Sequence, residues 1–412
     1  MGALAIGAVS STSSGRRLVA LDMLRAVAAI GVLTTHVYLL NGVAYLGSRH
    51  PTSLIMEQGA TGVWLFFVLS GFVISRPFVA GVVRGHLPGI GSYALRRAAR
   101  ILPLYWLSML VVAIATNNWA HASLKAKLSN VFLVQNLVPG QENGTIISVW
   151  WTLSVEACFY VFVPVMAWLL LKWKPKGISA RRVASGVVVI WVMSVCWVLA
   201  ASTLHQGEFG LWLRQVFPAM LASFCPGVLL AAAESGDVLR PELRARVEGL
   251  IRRATLVLPV VLVLVVAGAY SETAVNHLTL AAIAPQFYAL AYGLVVAWAL
   301  RVRVPERPWV RVWAWFGVIS YGIYIWHAVI LATITNHAAG LPFTGHWILK
   351  GGVWLPAATE LPLLDDLFRL AWVMLLTTAA SAVSWYLLES RLIKWSHGSA
   401  RREAAVAVAA TD

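Results

Sequence analysis

Apolar runs, each long enough to cross a bilayer as a helix, recur along this chain and are separated by short segments that carry most of its basic side chains. A span needs roughly 20 apolar residues. Hydrocarbon also forces every backbone polar group to find an internal partner, which leaves only helices or closed barrels. Period-two alternation is absent from these runs, so helices are expected. We place ten spans at about 18–40, 61–80, 101–117, 151–171, 183–203, 215–233, 254–271, 280–300, 313–335 and 369–389. Composition agrees: 59% of residues are hydrophobic and the mean hydropathy is +0.76, well beyond a soluble domain of 412 residues. The expected fold is all-α and polytopic. One membrane domain, 18–390, lies between a tail at 1–17 and a tail at 391–412.

Charge tests the count. The net charge of +15 suggests nucleic acid as a partner only until the basic residues are located. Starting inside, 25 of the 32 Lys and Arg fall in alternate segments, six in the others, and Arg25 within the first span. That alternation follows the positive-inside rule and predicts both termini in the cytoplasm of a multi-pass inner or plasma-membrane protein, with the bilayer and not nucleic acid as partner. Trp106, Trp173, Trp309 and Trp395 fall near span ends, as in an aromatic belt. The N-terminus lacks the pattern of a removable signal peptide, and Ile6 departs from the myristoylation pattern. Cys158, Cys196 and Cys225 lie in apolar runs and form no ligand or disulfide pattern, so no metal is expected. Two longer segments, 118–150 and 336–368, are candidates for an outer substrate mouth. Asn143-Gly-Thr145 fits a glycosylation acceptor, which has meaning only in a eukaryotic secretory protein.

Ionisable residues inside spans are costly and point to sites. Arg25 and His36 are eleven residues apart in the first run. That spacing is three turns plus about 20°, so they share a face about 16 Å apart along the axis. His36 fits either a bond to a neighbouring helix or a general base, since imidazole titrates near neutrality. Glu156 in the fourth run needs a cation, a histidine or a proton; a pair with Arg25 and the orienting of His36 both satisfy it. Arg96, Arg97 and Arg100 sit at i, i+1 and i+4 where the third span begins. They suit either membrane anchoring or the bidentate holding of phosphates. Gly59, Gly62, Ser70 and Gly71 read first as close helix packing. Ser70 as a nucleophile needs a base beside it. Ser320, Tyr324 and His327 share one helix face that should point inward. Glu389 with Arg391 reads as a membrane-surface charge cluster.

Taken in order, these runs resemble acyltransferase family 3, a family of integral-membrane O-acyltransferases. The matching pieces are Leu21-Asp22-Met-Leu24-Arg25 with ten residues to His36, LFFVLSGFVIS at 65–75, and Arg97-Ala-Ala-Arg100 with Pro103. Trp151-Thr-Leu-Ser-Val-Glu156 with Phe159-Tyr160, Ser320-Tyr321-Gly-Ile-Tyr324-Ile-Trp326-His327 and Tyr386 to Arg391 complete the set. Met23 and Thr34-Thr35 depart from the usual pattern without touching the histidine. The resemblance implies that His36 acts as base on the acceptor hydroxyl, with Arg25 its paired arginine. It also implies that Arg97 and Arg100 serve acyl-CoA. Many members carry an added hydrolase-like domain that finishes the transfer. Only the short tail at 391–412 follows the last span expected here, so either this chain transfers directly or a separate periplasmic or extracellular transferase takes over.

The expected activity is transfer of an acyl group, acetyl first, from cytoplasmic acyl-CoA to a sugar hydroxyl. The acceptor is a cell-envelope glycan, a lipid-linked glycan or a glycosylated metabolite. Catalytic candidates are His36, Arg25 and Glu156; donor-binding candidates are Arg97, Arg100 and Arg96; Ser70, Trp151, Tyr324 and His327 are helpers. The competing expectation is a proton-coupled transporter or glycan exporter. The missing internal repeat and the basic cluster at a cytoplasmic entrance weigh against it.

Overall fold

A computed structural model describes residues 13–40, 58–116, 118–141, 146–204, 207–273, 278–337, 347–350, 353–356 and 362–398. The membrane domain is helical. Its helices are α1 (Ser13–Leu40), α2 (Gly62–Arg84), α3 (Ile90–Ala115), α4 (Leu124–Val131), α5 (Trp151–Trp173), α6 (Ala180–Leu204) and α7 (Cys225–Ser235). They continue with α8 (Pro241–Arg252), α9 (Ala254–Thr273), α10 (Leu278–Ala299), α11 (Pro308–Val318), α12 (Ser320–His337) and α13 (Pro362–Ser384). Among the described residues the only strands are the antiparallel pair Trp347–Lys350 and Val353–Pro356, within the second long segment.

Six helical stretches are long and apolar enough to cross a membrane alone: Val19–Val37, Gln58–Arg84, Ile90–Ala115, Trp151–Trp173, Ala180–Thr203 and Leu370–Gly398. Three bent pairs raise the number to nine if each is one span. Phe217–Ser223 meets Cys225–Ser235 at 52°, Pro241–Arg252 meets Ala254–Ala267 at 81°, and Pro308–Val318 meets Ser320–Thr333 at 62°. The remaining expected segment is the shorter apolar helix in α10, Ile283–Ala299. Two expected boundaries move. The third helix begins at Ile90 instead of about 101, so the arginine cluster lies within the helix and not at its entrance. The expected run 313–335 is broken at Ile319, where α11 ends and α12 turns away.

Small residues set the packing, as helices sharing no hydrophobic drive in lipid require. Gly71 on α2 and Gly227 on α7 meet backbone to backbone. A Cβ on Gly71 would lie 2.3 Å from the Phe224 carbonyl oxygen, and one on Gly227 2.1 Å from that of Val68. Gly317 presses as closely on Asp22, seating α11 against α1. An Arg76–Glu234 ion pair at 3.0 Å adds a polar tie between α2 and α7. Phe67, Phe159 and Phe224 stack in the core, with centroids 4.7 and 4.1 Å apart.

The segment before α5 is packed and not a loose mouth. Ser123 caps α4, and the Gln135 and Asn136 side chains donate to the carbonyls of Trp150 and Gln215 at 2.8 and 2.5 Å. The Tyr105 hydroxyl donates to the Asn130 carbonyl at 2.8 Å. Asn143 to Thr145, read as a glycosylation acceptor, lie outside the described residues.

Candidate active site

A cavity of about 600 Å³ opens among α1, α2, α3, α5 and α12. Arg25, Ser70, Arg96, Arg97, Arg100, Glu156 and Tyr324, all candidates from sequence, line it. His36, Trp151 and His327 do not. The cavity therefore gathers polar groups that lie far apart along the chain.

The three arginines of α3 are half-buried, and none makes a carboxylate ion pair among the described residues. The Arg97 guanidinium carbon lies 5.7 Å from the Tyr93 ring centre and 5.9 Å from that of Tyr160. These cation–π contacts hold the group in place while using none of its hydrogen-bond donors. Its buried Nε has no partner, a costly state unless a ligand completes it.

Glu156 departs from both expected partners. It accepts a hydrogen bond from the Ser70 hydroxyl, and Tyr160, one turn further along α5, lines the same cavity. Arg25 instead pairs with Asp22 at 2.5 Å, one turn away on α1. A neighbour within its own turn was the simpler partner for that arginine. Ser70 thus has a carboxyl group at its oxygen, the feature a sequence cannot supply for a distant pair.

Tyr324 forms the end wall. Its hydroxyl hydrogen-bonds with that of Thr152 at 2.7 Å and donates to the Val149 carbonyl at 2.9 Å. Its ring touches Phe66 on one side and His327 on the other, with centroids 5.9 and 5.7 Å apart. Behind it the His327 and His36 rings lie 5.1 Å apart. The stripe of Ser320, Tyr324 and His327 is buried as its spacing requires, at 2%, 5% and 0% exposure. Trp151 stands behind the wall against Trp64 and Phe67.

Some lining residues escaped the sequence reading. Tyr160 and Thr152 lie within a motif already noted, but the end of the last span reads in sequence only as a surface charge cluster. After a π-helical turn at Trp385–Glu389 the helix runs on, and Ile393 and His397 reach the cavity. Their spacing of four from Glu389 was the available signal. Glu389 corrects the charge-cluster expectation: it is 2% exposed and accepts from the Ser384 hydroxyl at 3.2 Å. Arg391 is exposed, because residues two apart on a helix face different ways. Among the described residues, no three His, Cys, Asp or Glu side chains gather as a metal site.

The family described as an acyltransferase domain matches residues 18–389, and the chain belongs to it: this is a multi-pass membrane protein of acyltransferase family 3. Among similar proteins, nodulation protein 10 of Rhizobium leguminosarum bv. viciae is 24% identical over 46% of this chain and 54% of its own length. Acyltransferase MdmB of Streptomyces mycarofaciens is 26% identical over 52% of this chain and 57% of its own. O-acetyltransferase OatA of Staphylococcus aureus is 28% identical over 44% of this chain and 30% of its own. The chain thus spans about half, or less, of the length of these relatives. No solved structure matches.

Proposed function

We propose that this protein is a membrane O-acyltransferase that moves an acyl group, acetyl first, from acyl-CoA to a sugar hydroxyl. The observation that carries the reading is the cavity itself: three arginines without carboxylate partners at one part of its wall, and a buried Ser70–Glu156 contact and Tyr324 at another. Guanidinium groups suit the phosphates of a CoA donor, Arg97 and Arg100 foremost with Arg96 assisting. The similarity to O-acetyltransferase OatA supports an acetyl group and an oxygen acceptor.

In this reading ten spans leave both termini in the cytoplasm of the plasma membrane, and the donor enters from that side. The acceptor is a glycan or glycoside of the cell envelope. His36 takes the acceptor's hydroxyl proton as the oxygen attacks the thioester carbonyl, and the proton passes to the departing CoA thiolate. Arg25 adds fixed positive charge to the cavity through which the donor passes, and Glu156 holds the Ser70 hydroxyl on its wall. His36 lies behind Tyr324, so the Tyr324 or Phe66 side chain turns aside for the acyl group to reach it.

The test uses purified protein in nanodiscs with radiolabelled acetyl-CoA, following donor binding and slow thioester hydrolysis. Wild type binds and slowly turns over the donor. A wild type that neither binds nor consumes any acyl-CoA sinks the reading, and proton-coupled transport in proteoliposomes becomes the next assay.

A further inference from the structure

We infer that His327 is a positioning residue that shares the proton taken up by His36, so that the two imidazoles act as one base. The inference rests on the reading of His36 as the general base.

The hydrogen bonds fix the tautomers. Nδ1 of His36 is 2.8 Å from the Val32 carbonyl, and Nδ1 of His327 is 3.1 Å from the Ile323 carbonyl. A carbonyl oxygen only accepts, so each Nδ1 carries the hydrogen and each Nε2 carries a lone pair. Both histidines are therefore held ready to accept, not to donate. The Nε2 of His327 is buried with no partner, in a side chain with 0% exposure. An orphaned acceptor at that depth is destabilising, and native interiors rarely keep one without use. A purely structural histidine here would lose nothing by becoming Leu or Phe.

The missing donor is available next door. The rings lie 5.1 Å apart between centroids and 60° tilted. At that separation a turn of the rings brings a nitrogen of one within hydrogen-bond distance of a nitrogen of the other. When the acceptor's O–H bond breaks, the proton forms an Nε2–H bond on His36. That new donor meets the lone pair on Nε2 of His327. The imidazolium is then stabilised inside a site with little water, and the proton later leaves with the CoA thiolate. Tyr324 is the other ionisable group against the pair, its ring 5.7 Å from His327 and its hydroxyl committed to Thr152 and Val149. Asp22 and Arg25 lie more than two turns away along α1 and neutralise each other.

The test compares wild type, His327→Leu and His327→Gln in nanodiscs with acetyl-CoA. Gln keeps an acceptor oxygen; Leu keeps none. His327→Leu is expected to bind donor as wild type does, since the arginine cavity is untouched. Its kcat falls by about 10- to 100-fold, a share of the usual general-base contribution. Removing the acceptor makes His36 a weaker base, so the acid limb of its pH–rate profile moves to lower pH. His327→Gln restores most of kcat. A folded His327→Leu protein with kcat within twofold of wild type and an unmoved acid limb overturns the inference.

A second readout needs no turnover. In protein labelled with ¹⁵N-histidine, the His36 ring nitrogens report its titration, assigned with a His36→Gln variant. Replacement of His327 by Gln shifts that titration if the pair is coupled. An unmoved His36 titration overturns the coupling, including where His327→Leu fails to fold. Wild-type protein that consumes no acyl-CoA sinks the acyltransferase reading alone, because the nitrogen signals still test the pair.

Discussion

The two ends of the site are built on opposite principles. The arginine cavity is roomy, and the three arginines of α3 on its wall make no carboxylate ion pair among the described residues. The histidine pair is packed among Val32, Leu33 and Ile323, all at 0% exposure, and holds its rings by backbone carbonyls. Tyr324 belongs to both, lining one and touching the other. A cavity with unpaired guanidinium groups on its wall is suited to binding an anion; a pair of imidazoles whose Nδ1 atoms are held by backbone carbonyls is suited to proton transfer. On the proposed reading, affinity for the donor and reactivity toward the acceptor rest on separate residues and can be lost separately.

The sharpest way to break that division is His36→Ala. We expect transfer to fall by about 10²- to 10⁴-fold, the usual worth of a positioned general base. Donor affinity should stay within about twofold, because His36 does not line the cavity; equilibrium binding of labelled acetyl-CoA beside turnover measures both. Parallel loss of binding and turnover would show the two ends to be one site. Arg97→Ala/Arg100→Ala is the converse. Each lost charged hydrogen bond is worth about 1.5–3 kcal/mol, so donor affinity should fall by roughly 100-fold or more. Turnover at saturating donor should change far less. Thermal unfolding in the same nanodiscs guards against a folding defect, which Arg97 invites through its contacts with Tyr93 and Tyr160.

The same division explains what was legible in the sequence. Helical spans were readable because hydrocarbon allows so few structures, and each of the ten expected runs meets a helix or part of a bent pair. The arginine cluster was readable because its members are close in sequence, and so was the buried stripe on α12. Partners across the fold were not. Charge alone leaves Glu156 open to a pair with Arg25 or to the orienting of His36, whereas the structure gives Arg25 its near neighbour Asp22 and gives Glu156 a serine 86 residues away. The meeting of His36 with His327 left no local spacing to read. Bends were equally hidden: the break at Ile319 lies two residues after Gly317, which packs against the α1 backbone in a contact between distant helices. His397 was missed because a π-turn re-aims the residues after it.

The smallest expected effect concerns Ser70, which stands in the cavity with its hydroxyl on Glu156. A carboxyl beside a serine invites an acyl-enzyme route, in which Ser70 would carry the acyl group between donor and acceptor. The buried setting argues otherwise. The Ser70 hydroxyl satisfies this carboxyl in a water-poor interior, where an unmet one is expensive. Ser70 is then a support for Glu156, and Tyr160 lines the same wall one turn further along α5. Ser70→Ala should therefore reduce kcat by about three- to tenfold, the cost of one hydrogen bond of about 0.5–1.5 kcal/mol. Donor affinity should be unchanged, and no label should remain on denatured wild-type protein after incubation with radiolabelled acetyl-CoA. A loss beyond 1,000-fold in Ser70→Ala, with label on the wild-type serine, would instead put covalent chemistry in the cavity and move the reacting centre from the histidine pair to the arginine side of Tyr324.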